Sequence, residues 1–308
     1  MNIRITYTLT FIVSYCSLVY ELLLAQTLST VLGNTVLRYS LTIGFYLAAK
    51  GIGAMLCNVK NRDVIRSLLK VEIILIIIGG LSVILITLFD VIQKYIYSIS
   101  NFFQESTFIG GSIAEITFFL LSHSVIIAIG IFSGFEIPLL IHIAQSEKKG
   151  TANRILGIDY FGSLAASVLF PLVLLPSLGI FSIAFSTAML NGLAGLVIIF
   201  IKGVNKKMIP TVATVLLTVL LALGLSNAPD IKQFYLKKFY FNDEIHTVGD
   251  IFKPTATDRP PVEHWESPYQ HIELISTPDS FDSILFYQVY SKKWAKEPDS
   301  SSLIKTNA

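Results

Sequence analysis

Long apolar runs separated by short polar connections fill most of the chain. Each run reaches or approaches the roughly 20 residues that a helix needs to cross the apolar core of a bilayer. Seven such segments are predicted, at residues 7–31, 39–57, 68–89, 113–143, 155–175, 179–201 and 209–225. The pattern therefore predicts an all-α integral membrane bundle of about seven transmembrane helices.

A second pattern lies between the third and fourth segments. Ile92, Tyr95, Ile99 and Phe102 recur at helical spacing in an otherwise more polar stretch. This spacing predicts a separate amphipathic helix that lies at the membrane surface.

The pattern changes after residue 226, where apolar runs become short and acidic residues, prolines and both tryptophans appear. Residues 271–275 and 283–290 are predicted strands, and residues 296–308 are predicted to be disordered. The prediction is therefore a multi-pass transmembrane domain at 1–226 and a soluble tail with a small β-type remnant at 227–308.

Lysines and arginines mark alternate connections between the apolar segments. One set of connections holds Lys60, Arg62, Arg66, Lys70, Lys148, Lys149, Arg154, Lys202, Lys206 and Lys207, whereas the opposite set holds Arg38 and Lys94. Basic connections favour the cytoplasmic side. The expected location is the cell (inner) membrane with a cytoplasmic N-terminus, and seven spans would leave the tail outside.

Composition agrees with a lipid-embedded chain and narrows its partners. Hydrophobic residues make up 53% and charged residues 14%, against about a quarter charged in soluble domains. The net charge of +2 gives no basic surface for nucleic acid. Cys16 and Cys57 have neither CxxC spacing nor matching histidines, so neither a disulfide framework nor a metal site is expected.

Acids inside apolar segments are the main candidates for function. Glu21, Glu136 and Asp159 lie in such segments, where an ionisable residue costs roughly 2.5–3.5 kcal/mol and needs a partner or a wet cavity. The short basic turn between the fourth and fifth segments predicts similar depths for Glu136 and Asp159, which would hold a cation or share a proton. The alternative is that each acid makes a structural contact with a neighbouring helix.

Other polar residues complete the candidate set. Tyr20 and Tyr160 stand beside two of the three acids. Glu72 is a weaker candidate because it is expected near a helix end that water reaches, and a lone His123 more often makes a helix–helix hydrogen bond. No GxGxxG, Walker, HExxH or GxSxG motif occurs, so no nucleotide or hydrolase chemistry is indicated.

Three stretches of sequence resemble the membrane-embedded spermidine synthase-like proteins. They are YEL at residues 20–22, GFEIPLL at 134–140 and DYFGSLAASVLFPL at 159–172. The resemblance implies a multi-helix membrane domain followed by a soluble polyamine aminopropyltransferase domain. A further stretch, ESPYQHIE at 266–273, resembles the strand that opens that soluble domain. There Gln270 matches the glutamine that contacts the nucleoside of decarboxylated S-adenosylmethionine.

The chain also departs from the family pattern. The next strand of the family carries Asn-Gly or Asp-Gly before a glutamine, whereas residues 285–289 read LFYQV. The Rossmann-like catalytic domain expected by resemblance does not follow before Ala308. The expectation is a chain truncated before that domain, with no cofactor of its own; decarboxylated S-adenosylmethionine would be the donor if the family chemistry were retained.

Three functions follow from these observations. The first is a membrane module that acts in polyamine-related metabolism with a separately encoded catalytic subunit. The second is a transporter of a polyamine, another cation or protons along the intramembrane acids. The third is aminopropyl transfer by the chain itself. The sequence leaves the substrate and the oligomeric state open.

Overall fold

The computed structural model describes residues 3–33, 35–58, 63–102, 107–202 and 208–240, and in the tail residues 249, 253, 263–266, 271–275 and 283–285. The described helices are α1 (Ile3–Leu32), α2 (Thr35–Leu56), α3 (Val64–Phe102), α4 (Thr107–Glu147), α5 (Ala152–Leu169), α6 (Leu175–Lys202), α7 (Met208–Ser226) and α8 (Ala228–Tyr240). A π-helical turn, Phe170–Leu174, joins α5 to α6. The described strands are β1 (Glu263–Glu266), β2 (His271–Ile275) and β3 (Ser283–Leu285).

Helix α1 lies at the centre of the bundle, in contact with α2, α3, α4, α5 and α6. Its buried side chains point in several directions. Leu9, Val13 and Leu24 join one apolar cluster with α3 and α4, whereas Val19 and Leu23 join a second cluster with α5 and α6. A helix that is apolar on all sides is stable only when it is surrounded, which accounts for this central position.

Glycines allow α2 and α4 to pack closely. A Cβ atom on Gly53 would collide with the carbonyl oxygen of Ile131, and one on Gly134 would collide with that of Lys50. Small residues let two helix backbones approach in this way. The close approach brings Lys50 next to the α4 turn that carries Glu136.

The predicted count of seven spans is wrong. Four described stretches are long and apolar enough to cross a membrane: Ile3–Leu32, Val64–Ile96, Ile113–Glu147 and Ala152–Phe200. A fifth is added if Val212–Ser226 and Ala228–Phe239, which meet at a bend of 63°, form one span.

The difference has identifiable causes in the sequence. The predicted fifth and sixth segments form one apolar helical stretch, bent at Gly179, where φ is 71° and the backbone leaves the helical region. The second segment, α2, carries Arg38 and Lys50, which lower its apolar character. The parity argument that placed the tail outside loses its basis with the count of seven.

Two further helices differ from the predictions. Helix α3 runs without a break to Phe102, so the predicted separate surface helix is wrong. Helix α8 lies in the stretch predicted to be a soluble tail and packs against α3. The Tyr235 hydroxyl donates to Asp90 Oδ2 at 3.3 Å, and Lys94 pairs with the same carboxylate at 3.3 Å.

The strands form one small antiparallel sheet in the order β1-β2-β3. Trp265 pairs with Ile272, and Leu274 pairs with Ile284. Strand β2 coincides with the predicted strand at 271–275. Strands of four, five and three residues do not establish a β-type remnant, because so small a sheet is stable only with a packed apolar face. That part of the predicted fold class is therefore not upheld either.

Candidate functional site

Three of the five candidate residues are buried in the helical bundle. Tyr20 and Glu21 lie on α1, and Glu136 lies on α4, where it is only 1% exposed. The Glu136 Oε2 atom accepts a hydrogen bond from Ser133 at 3.2 Å, whereas Oε1 has no partner among the described residues. The buried Glu136 carboxylate therefore has a hydrogen-bond partner for only one of its two oxygens.

Glu72 is more deeply buried than the sequence indicated. It is 0% exposed, and neither of its carboxylate oxygens has a hydrogen-bond partner in the described part of the chain. Helix α3 begins at Val64 rather than near residue 68, which places Glu72 about two turns inside the helix. The expectation that water reaches this residue is wrong.

Tyr20 brings these two acids into one site. Its ring packs directly on Gly79, two turns along α3 from Glu72, where a Cβ atom would collide with the ring. Both Glu72 and Glu136 act electrostatically on Tyr20, and they repel each other. The buried Tyr20 hydroxyl has no hydrogen-bond partner within the described ranges.

Asn191 on α6 faces the same region. One turn before it, the carbonyl of Thr187 accepts a weak bond from Cys16 Sγ at 3.8 Å. One turn after it, Gly195 lies beside the Cβ atom of Glu72. Asn191 is 1% exposed, and neither its amide oxygen nor its amide nitrogen has a described partner. We call Tyr20, Glu72, Glu136 and Asn191 the central cluster.

A second polar group, on α1 and α2, borders the central cluster. Lys50 Nζ donates to Ser17 Oγ at 2.9 Å, and the Tyr46 hydroxyl donates to the Ser17 carbonyl oxygen at 2.9 Å. The Lys50 ammonium acts electrostatically on both Glu21 and Glu136. Lys50 therefore partly balances two acids.

Charge in this region is unbalanced. Glu21 and Glu136 have Lys50 as a cationic neighbour, whereas neither oxygen of Glu72 has a hydrogen-bond partner among the described residues. Buried charges are stable only when they are paired and hydrogen-bonded, so these acids favour the uptake of protons or of a bound cation.

Asp159 and Tyr160 lie outside the central cluster. The Asp159 carboxylate accepts a hydrogen bond of 2.5 Å from Ser14 Oγ on α1, and it is the weakest of the charges that act on Glu136. No hydrogen bond between the described residues joins the two acids. Tyr160 is 71% exposed on the outer surface of α5.

A half-open cavity of about 520 Å³ lies at the ends of α2, α3 and α4. Its mouth carries Asp63, Arg66 and Lys70, and its wall includes Val71 and Phe135. These two wall residues directly precede Glu72 and Glu136 in the sequence. Adjacent residues on a helix do not face the same way, and no residue of the central cluster lines this cavity.

Other kinds of site have less support. Within the described ranges, no group of three or more His, Cys, Asp and Glu residues has the arrangement of a metal site. Gln270, the predicted contact for the donor nucleoside, lies outside the described residues.

Comparison with known proteins identifies relatives of the chain. A polyamine aminopropyltransferase of Leptospira interrogans is 33% identical over 261 residues, which cover 83% of this chain and 47% of that protein. The chain belongs to the spermidine synthase-like family. A polyamine aminopropyltransferase of Oceanobacillus iheyensis is 29% identical, over 79% of this chain and 44% of its own length. Polyamine aminopropyltransferase 2 of Ralstonia nicotianae is 32% identical over 59% of the chain.

The predicted family is thereby confirmed. The 261 matched residues far outnumber the residues after Tyr240, where the last described helix ends. The match therefore includes most of the helical part of this spermidine synthase-like chain. The chain spans about half the length of the relatives from Leptospira and Oceanobacillus. No protein-family model and no solved structure matches it significantly.

Sequence reasoning missed Lys50 and Asn191 and undervalued Glu72. All three are polar residues within apolar stretches, which is the signal that identified Glu21 and Glu136. Their convergence on one region depends on how the helices pack, and polar residues in apolar stretches of sequence do not reveal that packing.

Proposed function

We propose that the chain is the bilayer-embedded helical domain of a spermidine synthase-like system and acts in polyamine-related metabolism with an aminopropyltransferase catalytic unit on a partner chain. The observation that carries this proposal is the 33% identity to a polyamine aminopropyltransferase over 83% of the chain, most of the helical part included.

The outer surface of the helices supports a position in the bilayer. Large apolar side chains on several helices are exposed, among them Leu47, Phe161, Leu172 and Phe200. Large exposed apolar surfaces mark membrane or protein contacts rather than water-facing surfaces. Lipid would cover these side chains, while the polar side chains of the central cluster face inward.

The experiment is extraction of the full chain from its own membranes in mild detergent, followed by an assay of the extract with putrescine and decarboxylated S-adenosylmethionine. We expect methylthioadenosine release by the co-purified complex and none by the chain after a stringent detergent wash. Recovery of this chain alone and without activity would count against the partnership. Release by the washed chain would assign aminopropyl transfer to the chain itself.

Transport of a cation is the second candidate, and the unpartnered carboxylate oxygens of Glu72 and Glu136 favour it. Acids that face the interior of a bundle often mark ion or proton paths. The test is uptake of labelled polyamine and of protons by liposomes that contain the chain. Unchanged fluxes after simultaneous Glu72→Gln and Glu136→Gln substitution would exclude this candidate.

A further inference from the structure

Buried polar atoms without partners are concentrated in the central cluster. Both oxygens of Glu72, one oxygen of Glu136, the Tyr20 hydroxyl and both polar atoms of the Asn191 amide are in this state among the described residues. Buried polar groups are normally hydrogen-bonded, and each exception needs an explanation. Four such side chains on four different helices suggest that a ligand supplies the missing contacts.

The chemistry of these atoms defines that ligand. A positive charge between two carboxylates that repel each other stabilises both. Five of the six unpartnered atoms are oxygens that can accept hydrogen bonds, so a ligand that donates several would serve them, whereas the Asn191 amide nitrogen is a donor. A primary ammonium group carries one positive charge and three N–H donors. It matches both requirements, and the ring of Tyr20 adds a face that attracts cations.

The surroundings favour an organic cation over a hydrated metal ion. Magnesium retains several waters and calcium takes six to eight oxygen ligands, whereas Leu75 and Ile76, next to the cluster along α3, are fully buried apolar residues. A methylene chain is compatible with such a lining. The site holds two carboxylates, Glu72 and Glu136, which an ammonium end of a diamine could contact together.

We propose that Tyr20, Glu72, Glu136 and Asn191 form a binding site for an aliphatic diamine within the helical bundle, with at least one ammonium end held between the two carboxylates. The choice of a diamine rests on the proposed role in polyamine metabolism. The site itself rests on the four side chains.

Equilibrium binding of radiolabelled 1,4-diaminobutane to the full chain in lipid nanodiscs tests the proposal. We expect saturable binding of one diamine per chain. Glu72→Gln and Glu136→Gln should each weaken binding roughly tenfold or more, since each removes a charge-assisted hydrogen bond. The matched control is Glu115→Gln, an exposed acid of α4, which should leave binding unchanged.

Two milder variants guard against misfolding. Tyr20→Phe removes one hydroxyl, and Asn191→Ser shortens one amide; each should weaken binding several-fold while the chain elutes as a single species. Absence of saturable binding, or wild-type affinity in both glutamate variants, would overturn the proposal. Displacement by sodium at the same concentrations as unlabelled diamine would also overturn it in favour of a site for small cations in general. Nanodisc binding needs no catalytic partner, so its failure is distinguishable from failure of the partnership.

Discussion

Replacement of Glu72 by methionine should stabilise the ligand-free chain. The carboxylate is fully buried and lacks a partner among the described residues. An unsatisfied buried polar group costs about 1–3 kcal/mol, and an apolar side chain of similar shape removes that cost. Methionine is flexible and fills irregular spaces well. We therefore expect Glu72→Met to raise the free energy of unfolding by about 1–3 kcal/mol.

This free energy converts to a temperature that can be measured. For a domain of 150–250 residues, 1 kcal/mol shifts the midpoint by about 2–4 °C, so the expected rise is roughly 2–12 °C. The assay is thermal unfolding in nanodiscs without added amine, at one fixed scan rate. The same variant should lose diamine binding.

The control is Glu115→Met, which places the same side chain at an exposed position of α4 and should leave the midpoint nearly unchanged. A lower midpoint for Glu72→Met would mean that the carboxylate makes a stabilising contact, contrary to this expectation. In that case the central cluster would be a structural network rather than a site awaiting a ligand.

Three further substitutions, one of them with a matched control, test how the helices are held together. Gly134→Ala places a methyl group against the backbone of α2 and should cost about 1–3 kcal/mol. Gly157→Ala meets no atom within 4 Å and should instead raise the free energy of unfolding by about 0.5–1 kcal/mol in the same assay, because alanine favours a helix over glycine. Ser14→Ala removes the hydrogen bond to Asp159 and should lower the free energy of unfolding by about 1–3 kcal/mol; an unchanged midpoint would show that water replaces it. Lys50→Met should lower the midpoint because two carboxylates lose their cationic neighbour, and a rise would contradict that assignment.

Sequence alone predicted the helical character and part of the candidate site, for physical reasons. Glu21 and Glu136 were recognisable because an ionisable residue is rare in an apolar segment. The burial of Glu72 was not, because it depends on where α3 begins, and apolar periodicity defines helix ends only within a few residues. Asn191 joins the cluster through the packing of α6, which local sequence does not encode.

The number of spans failed for a related reason. Hydropathy treats each apolar run as a separate crossing, but the bend at Gly179 lies inside one continuous apolar helical stretch. Hydropathy also counted helix α2 as a crossing, although this helix carries Lys50. The Lys50 ammonium donates to Ser17 within the bundle, so the packing of α2 depends on a polar partner that a hydropathy profile does not register.

A crystal structure of the full chain grown in a lipid mesophase with 1,4-diaminobutane would show whether a diamine occupies the central cluster. We expect elongated density beside Tyr20 and Asn191, with one end within hydrogen-bond distance of both Glu72 and Glu136. Glu72→Gln crystals grown under the same conditions should lack this density. An empty cluster whose carboxylates bond to each other or to waters in both crystals would contradict the proposed diamine site.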